Sequence, residues 1–348
     1  MRVERRGPTG IWGRRLVAVP VVFIVTAVLL ALVPVVLALT LVADAVRRRR
    51  LATTRVALWL LAGLVLECGG LLAALGVWVG SGFGLASGAF RRWSERLRVI
   101  WGAALFRVST RLMDVHVRVE GLEAITPDPA IMFMRHTSVV DTMAPADLIA
   151  RPLRIRLRYV MKRELLWDPG INVMGTRTPN CFVRRGAGGE SRFVGMLADD
   201  LGPSDAVLIY PEGMVVTPAK AAAMAARAAA RGDGPRAEPY ERVHPPRLGG
   251  PLALLESAGG RFDVVFIGHV GFEVAPGVRQ LLRGDLIGAR VRFRIWRVPA
   301  SSIPGSRTGM ADWLHERWHE MDAWVANVQD ELGVRDAASA LTTGASAR

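Results

Sequence analysis

The amino-acid sequence predicts an α/β fold, a layered sheet-and-helix domain preceded by an N-terminal membrane helical hairpin. Residues 16–43 contain no charged side chain, and a second apolar stretch follows at residues 56–90. From residue 114 onward, short apolar segments alternate with longer helical ones, which is typical of strands and helices built around one mostly buried sheet. We therefore expect an anchor over residues 1–90 and a folded domain over residues 91–305.

The first apolar stretch is long enough to cross a bilayer. Its 28 uncharged positions exceed both the roughly 20 residues that a spanning helix needs and the core of a signal peptide. No small-residue cleavage site follows it, only Asp44 and the basic run Arg47–Arg50. The second stretch carries Glu67, and a carboxylate at membrane depth usually faces protein or water. The sequence therefore predicts a retained anchor of one or two apolar helices.

The folded domain is predicted from its strands and helices. Buried strands are indicated by short runs rich in branched and aromatic residues. Helical stretches are expected at residues 142–150 and 190–201. The predicted strands are Asp114–Val119, Ala130–Met134, Arg158–Met161, Cys181–Val183, Ala206–Tyr210, Val264–Gly268 and Val291–Val298.

A linker rich in Pro, Ser and Gly follows at residues 299–306 and separates the folded domain from residues 306–348. That last part is predicted to be an amphipathic helix and a tail. Its apolar residues, including Trp313 and Trp318, recur every three to four positions, so we expect the helix to pack on the folded domain or to rest at the membrane interface.

Composition restricts the class of partner. The chain has 45 Lys+Arg against 31 Asp+Glu, a formal net charge of +14. Nucleic-acid binding would require a reading module or exposed aromatic residues among the basic ones, and the sequence shows neither. Arginines beside apolar spans instead suit anionic lipid headgroups. Cys68 and Cys181 provide neither a disulfide framework nor a metal-ligand set, which fits a domain in the cytoplasm.

The most informative local feature is the spacing of His136 and Asp141. On an unbroken helix, residues five apart point roughly 140° away from each other and cannot meet. Thr137 and Ser138 are good N-cap residues, so we expect a strand-to-helix turn after Met134, with Asp141 in the first helical turn. A carboxylate on one ring nitrogen of His136 would fix the tautomer and leave the other nitrogen free to accept a proton.

Four further motifs follow in a fixed order: Met161–Leu165, Cys181–Arg185, Tyr210–Gly213 and His244–Gly249. Together with the His136 segment, this set resembles the glycerolipid acyltransferase family, which includes 1-acylglycerol-3-phosphate acyltransferases. The resemblance covers residues 110–300, about half of the chain.

The resemblance implies a fold, a reaction and a set of site residues. The implied fold is a layered α/β domain, and the implied reaction transfers a fatty acyl group to a hydroxyl of a lysophospholipid, with 1-acyl-sn-glycerol-3-phosphate first among the acceptors. The donor would be acyl-CoA or acyl carrier protein, with no other cofactor and no metal. His136 would be the general base and Asp141 its orienting partner. The implied acceptor-binding residues are Lys162, Glu164, Arg185, Glu212, Gly213, Pro246 and Arg247.

Physical chemistry provides independent reasons for some of these residues. Arginine presents a planar fork of donors that can bind a phosphate through two hydrogen bonds, although Arg184 would serve as well as Arg185. Lys162 is as suited to an ion pair with Glu164 or Glu212 as to a substrate contact. Glu212 follows a predicted strand directly, at the end where sites of α/β sheets gather.

The sequence also departs from the family pattern. Met214 and Val215 replace the usual Thr or Ser and Arg after the Glu-Gly pair, and Pro179 stands where a glycine is expected. These changes leave the acceptor open, including a glycolipid. The stretch from Thr217 to His244 is most similar to the branch with lysocardiolipin acyltransferases.

Other histidines carry different predictions. His315, Glu316 and His319 satisfy the H-E-x-x-H pattern, so a membrane zinc metalloprotease is the alternative, with Glu331 as the best third ligand. The apolar stripe of that segment favours a packing helix instead. His269 is expected to be a strand-end histidine with satisfied hydrogen bonds, and His116 is expected to face outward.

The predicted location is the cell membrane. Basic residues flank both apolar stretches, so charge does not fix the orientation, but a cytoplasmic thioester donor would require the catalytic domain to face the cytoplasm. Membrane lipids are the expected partners, nucleic acid is not expected, and the oligomeric state is open.

Overall fold

A computed structural model describes residues 10–48, 51–184, 190–213 and 240–333. Its N-terminal part is helical, with α1 at Ile11–Ala31, α2 at Val33–Val46, α3 at Ala52–Gly80 and α4 at Ser87–Leu112. The uncharged stretch is not one continuous helix, because α1 ends before Leu32 and Pro34 lies in the first turn of α2, where its missing N–H is tolerated. Among the described residues, α1 and α3 are long and apolar enough to cross a membrane.

Seven strands form one sheet in the part of the chain that the structure describes. They are ordered β1-β7-β6-β2-β5-β3-β4, and neighbouring strands are parallel except for β6 and β7. All seven predicted strands are present, with ends that differ by up to two residues. Their bounds are His116–Glu120 (β1), Ala130–Met134 (β2), Arg156–Lys162 (β3), Cys181–Val183 (β4), Asp205–Ile209 (β5), Asp263–Val270 (β6) and Arg290–Val298 (β7).

Helices cover both faces of this sheet, which confirms the predicted layered α/β class. The segment predicted as a helix at residues 142–150 is instead a 3-10 turn at Val140–Met143 and a π turn at Ala146–Ala150. The second predicted helix ends early, at Gly195, and continues as a 3-10 turn. The remaining longer helices are α5 at Pro169–Gly175, α6 at Glu190–Gly195, α7 at Gly249–Ala258, α8 at Val278–Arg283 and α9 at Arg307–Leu332.

The central strand β2 is buried on both faces. All five of its residues are inaccessible; Met132 and Met134 face the side of α4, whereas Ile131 and Phe133 face the side of α7 and α9. Alternate residues of a strand point to opposite faces, so this one apolar run supplies both cores.

The C-terminal helix α9 packs on the sheet, as one of the two sequence-based alternatives predicted. Trp313, Trp318 and Val325 are buried in the core that includes Phe266 of β6. Helix α9 begins with a cap, because the side chain of Ser306 accepts a hydrogen bond from the N–H of Gly309. The proposed division at residues 90, 305 and 306 stays a prediction.

Candidate active site

The site lies at the carboxyl ends of the three central parallel strands β2, β5 and β6. His136 comes two residues after β2, Glu212 three residues after β5, and His269 is the penultimate residue of β6. Parallel neighbours end at the same edge of a sheet, so this topology brings together side chains that are far apart in sequence.

The structure brings His136 and Asp141 into contact. The Nδ1 atom of His136 lies 2.8 Å from Oδ1 of Asp141, and Asp141 is 0% exposed. The chain bends between the two residues as predicted, with Asp141 in the 3-10 turn. Burial by itself raises the pKa of Asp141, but the neighbouring imidazoles of His136 and His269 outweigh it and hold that pKa well below the ordinary value.

Asp141 itself stabilises the turn, and the N-cap residue of the 3-10 turn is Val139 rather than Thr137 or Ser138, although the Ser138 hydroxyl accepts a hydrogen bond from the N–H of Val140 at 3.4 Å. The Oδ2 atom of Asp141 accepts hydrogen bonds from the backbone N–H groups of Thr137, at 2.6 Å, and Ser138, at 2.8 Å. The Ser138 hydroxyl donates to the carbonyl of Ala275 at 2.7 Å. One carboxylate therefore fixes both the backbone bend and the imidazole that the bend presents.

His269 is part of this cluster, a role that the sequence did not reveal. Its Nε2 atom lies 2.9 Å from the carbonyl oxygen of Arg135 and 3.4 Å from Oδ2 of Asp141. A carbonyl oxygen only accepts, so Nε2 carries the hydrogen. The prediction of a strand-end histidine with satisfied hydrogen bonds holds for Nε2 alone, because Nδ1 has no hydrogen-bond partner in the described part of the chain. The available signal was its position at the end of a long apolar strand.

A buried ion pair lies behind the cluster. The guanidinium of Arg135 contacts the carboxylate of Glu273 and donates to the carbonyl of Arg242 at 3.2 Å. Gln329 of α9 donates to the same carboxylate at 3.3 Å. Burial alone would raise the pKa of Glu273, but Arg135 lowers it below the ordinary value. This pair, which sequence reasoning also missed, connects β2, the residue 240–247 segment and α9 behind His136.

Glu212 is enclosed beside His136. Its side chain is 3% exposed and accepts a hydrogen bond from the backbone N–H of His136. Burial raises the pKa of Glu212 to about 8, which the nearby Arg135 only partly offsets. Its Oε1 atom makes no hydrogen bond within the described residues. Below that pKa the carboxyl group is protonated and can donate a hydrogen bond.

Gly213 and Arg247, predicted from two different motifs, lie against each other. Gly213 has a φ of +70°, and its N–H donates to the carbonyl of Tyr210 at 2.9 Å. A Cβ at this glycine would come within 2.8 Å of Cδ of Arg247. The N–H of Arg247 donates to the carbonyl of Pro211 at 2.8 Å. The turn after β5 therefore needs glycine both for its backbone and for the side chain of Arg247.

The other predicted binding residues have mixed outcomes. Lys162 ends β3 and lines the same cavity as His136 and Arg247. Glu164 lies in the 3-10 turn that follows Lys162. Arg185 falls outside the described residues, as do Met214 and Val215 and most of the stretch from Thr217 to His244. The role of Arg185 stays a prediction.

A cavity of about 1180 Å³ connects these groups with the N-terminal helices. His136 and Lys162 line one part of it. Trp59, Gly63 and Leu64 of α3 line another part, and most of the wall is apolar. The cavity has the character of a site for a molecule with a long hydrocarbon chain and a polar reacting end.

His315 and His319 are held by a tyrosine. The Tyr240 hydroxyl lies 2.8 Å from Nδ1 of His315, and its ring stacks on His319 with centroids 4.2 Å apart. No group of three or more potential metal-ligating side chains occurs in the described ranges. The zinc protease alternative is not supported, since His315 and His319 contact Tyr240 and the side chain of Glu316 is exposed.

Helix α9 instead secures the segment that carries Arg247. Asp322 accepts hydrogen bonds from three successive backbone N–H groups, those of residues 241, 242 and 243, at 2.7 to 2.8 Å. The indole of Trp318 donates to the carbonyl of His244 at 2.8 Å. The C-terminal helix therefore positions one wall of the site from behind.

Comparisons with known proteins find similarity to acyltransferases. A family model described as acyltransferase matches residues 116–246, and one described as acyltransferase C-terminus matches residues 280–327. Lysocardiolipin acyltransferase 1 of Mus musculus is 25% identical over 240 residues, covering 66% of this chain and 62% of that protein. The Gallus gallus protein of the same name is 24% identical over 245 residues, covering 68% and 64%. The chain thus spans less than two thirds of the length of these relatives.

One similar solved structure is the crystal structure of the 1-acyl-sn-glycerophosphate acyltransferase PlsC from Thermotoga maritima. The two chains are 16% identical with a TM-score of 0.46, and the match covers 78% of this chain and 98% of that one.

Proposed function

Since the chain belongs to the acyltransferase family, we propose that it transfers a fatty acyl group from an acyl-CoA or acyl carrier protein thioester to a hydroxyl of a lysophospholipid. One observation carries this proposal: His136, whose imidazole lies 2.8 Å from Asp141, lines a largely apolar cavity together with the cationic side chains of Lys162 and Arg247. The pair provides a base for the hydroxyl, and the cavity provides space for the acyl chain.

The proposed mechanism needs no protein nucleophile. Asp141 holds Nδ1 of His136 in its protonated form, so Nε2 is free to take the proton of the acceptor hydroxyl. The hydroxyl oxygen attacks the thioester carbon, and the new C–O bond forms through a tetrahedral intermediate. The C–S bond then breaks, and the proton on His136 passes to the departing thiolate.

Acceptor binding is proposed for the polar part of the cavity wall. Lys162 and Arg247 line it and suit a phosphate group. Arg185, which is not among the described residues, is proposed to bind the same phosphate. Glu212, with its pKa raised to about 8, is proposed to donate a hydrogen bond to the acceptor at neutral pH. Gly213 shapes the turn that holds Arg247 in place.

We propose 1-acyl-sn-glycerol-3-phosphate as the first acceptor to test. Lysocardiolipin is the second, because the names of both vertebrate relatives refer to it. A glycolipid is the third. The acyl thioester is a co-substrate, and the scheme uses no further cofactor.

Membrane attachment fits the lipid substrates. Helices α1 and α3 are the proposed anchors, and Glu67 of α3 turns inward, where it accepts a hydrogen bond from the N–H of Gly170. We propose that the protein resides in the cell membrane with the catalytic domain on the cytoplasmic side, where thioesters are made.

The test is acyl transfer by membranes that contain the protein, using labelled acyl-CoA and a panel of lysophospholipids. His136→Ala should abolish product formation while leaving membrane insertion intact. The matched control is His116→Ala, since the side chain of His116 is 69% exposed on β1 and should keep wild-type turnover. Equal turnover in wild type and His136→Ala would refute the mechanism.

A further inference from the structure

Tyr210 carries a buried hydroxyl group without a hydrogen bond. Its oxygen is inaccessible and has no partner in the described part of the chain. Buried hydroxyls nearly always have a hydrogen-bond partner, because a hydroxyl that loses its hydrogen bond to water and gains none in the protein lowers the stability of the fold. A phenylalanine would fill the same space without that cost. Among the described residues the hydroxyl is therefore left to bond an atom that arrives with the substrate.

The position of Tyr210 suggests which substrate atom that is. Tyr210 directly follows β5 and lines the same cavity as His136. The centroids of the two rings are 4.8 Å apart, with a tilt of 42° between the ring planes. The hydroxyl that His136 deprotonates must lie beside the imidazole, and so must the carbonyl that it attacks. A donor on the ring next to His136 is thus placed at the reacting centre.

The state of the hydroxyl fits a donor. Burial, together with the negative charge of Asp141, raises the pKa of Tyr210 well above its ordinary value. The phenol therefore stays protonated, with its hydrogen available to an acceptor atom.

The second tyrosine of the cavity wall differs in this respect. Tyr159 receives a hydrogen bond on its hydroxyl from Arg98, whose guanidinium also lies 5.0 Å from the Tyr159 ring centroid. Its polar atom is therefore satisfied within the protein. Two tyrosines line one cavity, and only Tyr210 has a hydroxyl without a hydrogen bond in the described residues.

We infer that the Tyr210 hydroxyl is a catalytic hydrogen-bond donor to the carbonyl oxygen of the acyl thioester. This inference rests on the proposed acyl transfer. As the acceptor oxygen bonds to the carbonyl carbon, the carbonyl π electrons move onto oxygen, and the Tyr210 O–H stabilises the charge that develops there. When the carbonyl re-forms, the C–S bond breaks and the thiolate takes the proton from His136. Tyr210 keeps its own proton throughout.

The alternative partner is a phosphate oxygen of the acceptor. Phosphate is better served by Lys162 and Arg247, which line the cavity and carry positive charge. A neutral phenol is better suited to a carbonyl oxygen whose charge is small before the reaction and grows during it.

The experiment compares kcat, KM for both substrates and Tm in wild type, Tyr210→Phe and Tyr159→Phe. Tyr210→Phe should lower kcat by about 10²-fold, in the range for loss of one oxyanion donor, with KM nearly unchanged. Its Tm should not fall, because the lost hydroxyl leaves no group of the described residues unpaired. Tyr159→Phe should show the reverse pattern, with a lower Tm and a much smaller loss of kcat.

The outcomes distinguish a failure of the proposed acyl transfer from a failure of the proposed role of Tyr210. Wild-type protein without acyl transfer on any acceptor, while folded in membranes, would refute the proposed function. Active wild type with Tyr210→Phe at the same kcat would overturn the role of Tyr210 alone. A raised acceptor KM at constant kcat would also overturn it, because that result assigns the hydroxyl to acceptor binding.

Discussion

The two faces of the sheet are built in different ways. The face toward α7 and α9 is filled by large side chains; Phe266 stacks on Trp296 with centroids 5.5 Å apart and lies 5.8 Å from Trp313. The opposite face, toward α3 and α4, is also lined by apolar residues, but there a cavity of about 1180 Å³ remains between the sheet and the helices, and it continues past the carboxyl edge of the sheet to Val194 and Gly250. One face is a packed core and the other is a core with a binding space.

The difference indicates how the molecule separates stability from catalysis. Side chains of the packed face interdigitate at the density of a protein interior, so changes there cost stability. The cavity face has room for a substrate and includes helices that are apolar enough for a membrane. The polar groups lie where the faces meet, at the carboxyl edge of the sheet.

Shortening a residue of the packed face should have the largest effect on stability. Leu314 of α9 is 0% exposed, and Leu314→Ala should lower the free energy of unfolding by roughly 2–5 kcal/mol. Acyl transfer per folded molecule should stay within about threefold of wild type, because α9 acts from behind the site. Thermal unfolding and specific activity measure the two quantities.

The control for that change is Leu282→Ala in α8, where the side chain is 47% exposed. It should alter stability by less than about 0.5 kcal/mol. A Leu314→Ala protein that is stable but inactive would contradict the assignment of the packed face to stability.

Glu212 lies at the carboxyl edge of the sheet, where the two faces meet, and should make the stability of the protein depend on pH. The pKa of Glu212 in the folded protein, about 8, exceeds its ordinary value of 4.5. Its contribution to the free energy of unfolding is therefore fully present below the ordinary pKa and is lost as pH rises to about 8. The titration of one group changes the free energy of unfolding by at most about 1.4 kcal/mol per pH unit. Glu212→Gln stays neutral, so its Tm should fall less than that of wild type between pH 5 and pH 9.

Comparing the two Tm curves cancels the titrations that both proteins share. Asp141 does not affect this comparison. Its pKa is lowered, so the stability that it contributes is lost only as pH falls into the acid range, below the pH range compared. Parallel curves for wild type and Glu212→Gln would show that Glu212 is already ionised in the fold at neutral pH.

Filling the cavity face should change substrate choice and leave stability intact. Gly63 of α3 lines the cavity, and a Cβ there would meet no atom within 4 Å. Gly63→Leu should lower activity on the longest acyl chains by on the order of tenfold, with shorter chains spared. Its Tm should not fall, because leucine is favoured over glycine in a helix.

Gly69→Leu is the matched control. Gly69 lies on the same helix, also has no atom within 4 Å of a Cβ, and does not line the cavity. A change in chain-length preference shared by both variants would indicate an effect on α3 as a whole rather than on the cavity.

A smaller effect is expected at the turn that holds Arg247. Gly213→Ala places a side chain at a φ of +70°, a strain of about 1 kcal/mol, and pushes against Cδ of Arg247. We expect a slightly lower Tm and a severalfold higher acceptor KM. Gly288→Ala has a similar φ of +77° with no atom within 4 Å, so it should lower Tm alone. Equal KM values for the acceptor in the two variants would show that Arg247 does not bind the acceptor.

Much of the fold was predictable because its signals are local. The apolar run of β2 had its ends predicted correctly, and β6 was predicted only two residues too short at its C-terminal end and one at its N-terminal end. The helix after Asp141 was predicted less well, as it divides into a 3-10 turn and a π turn. Side-chain hydrogen bonds to the backbone compete with helix formation there, which a hydrophobic pattern does not show.

The site was predictable in part for the same reason. His136 and Asp141 are five residues apart, so their contact follows from one turn of chain. Arg135 and Glu273 are 138 positions apart, and their ion pair depends on the loop after β6 folding back beside the end of β2. His269 reaches Asp141 only because β6 and β2 are neighbours.

The sequence by itself determined the apolar strands, the candidate membrane helices and the bend that joins His136 to Asp141, since each depends on residues close together in the chain. The tertiary structure alone decided the strand order, the gathering of Glu212, Arg247 and His269 around that pair, and the cavity toward α3. The physical reason is that apolar periodicity places a strand in a sheet without specifying its neighbours. Packing and the closure of long loops select the neighbours, and through them the site.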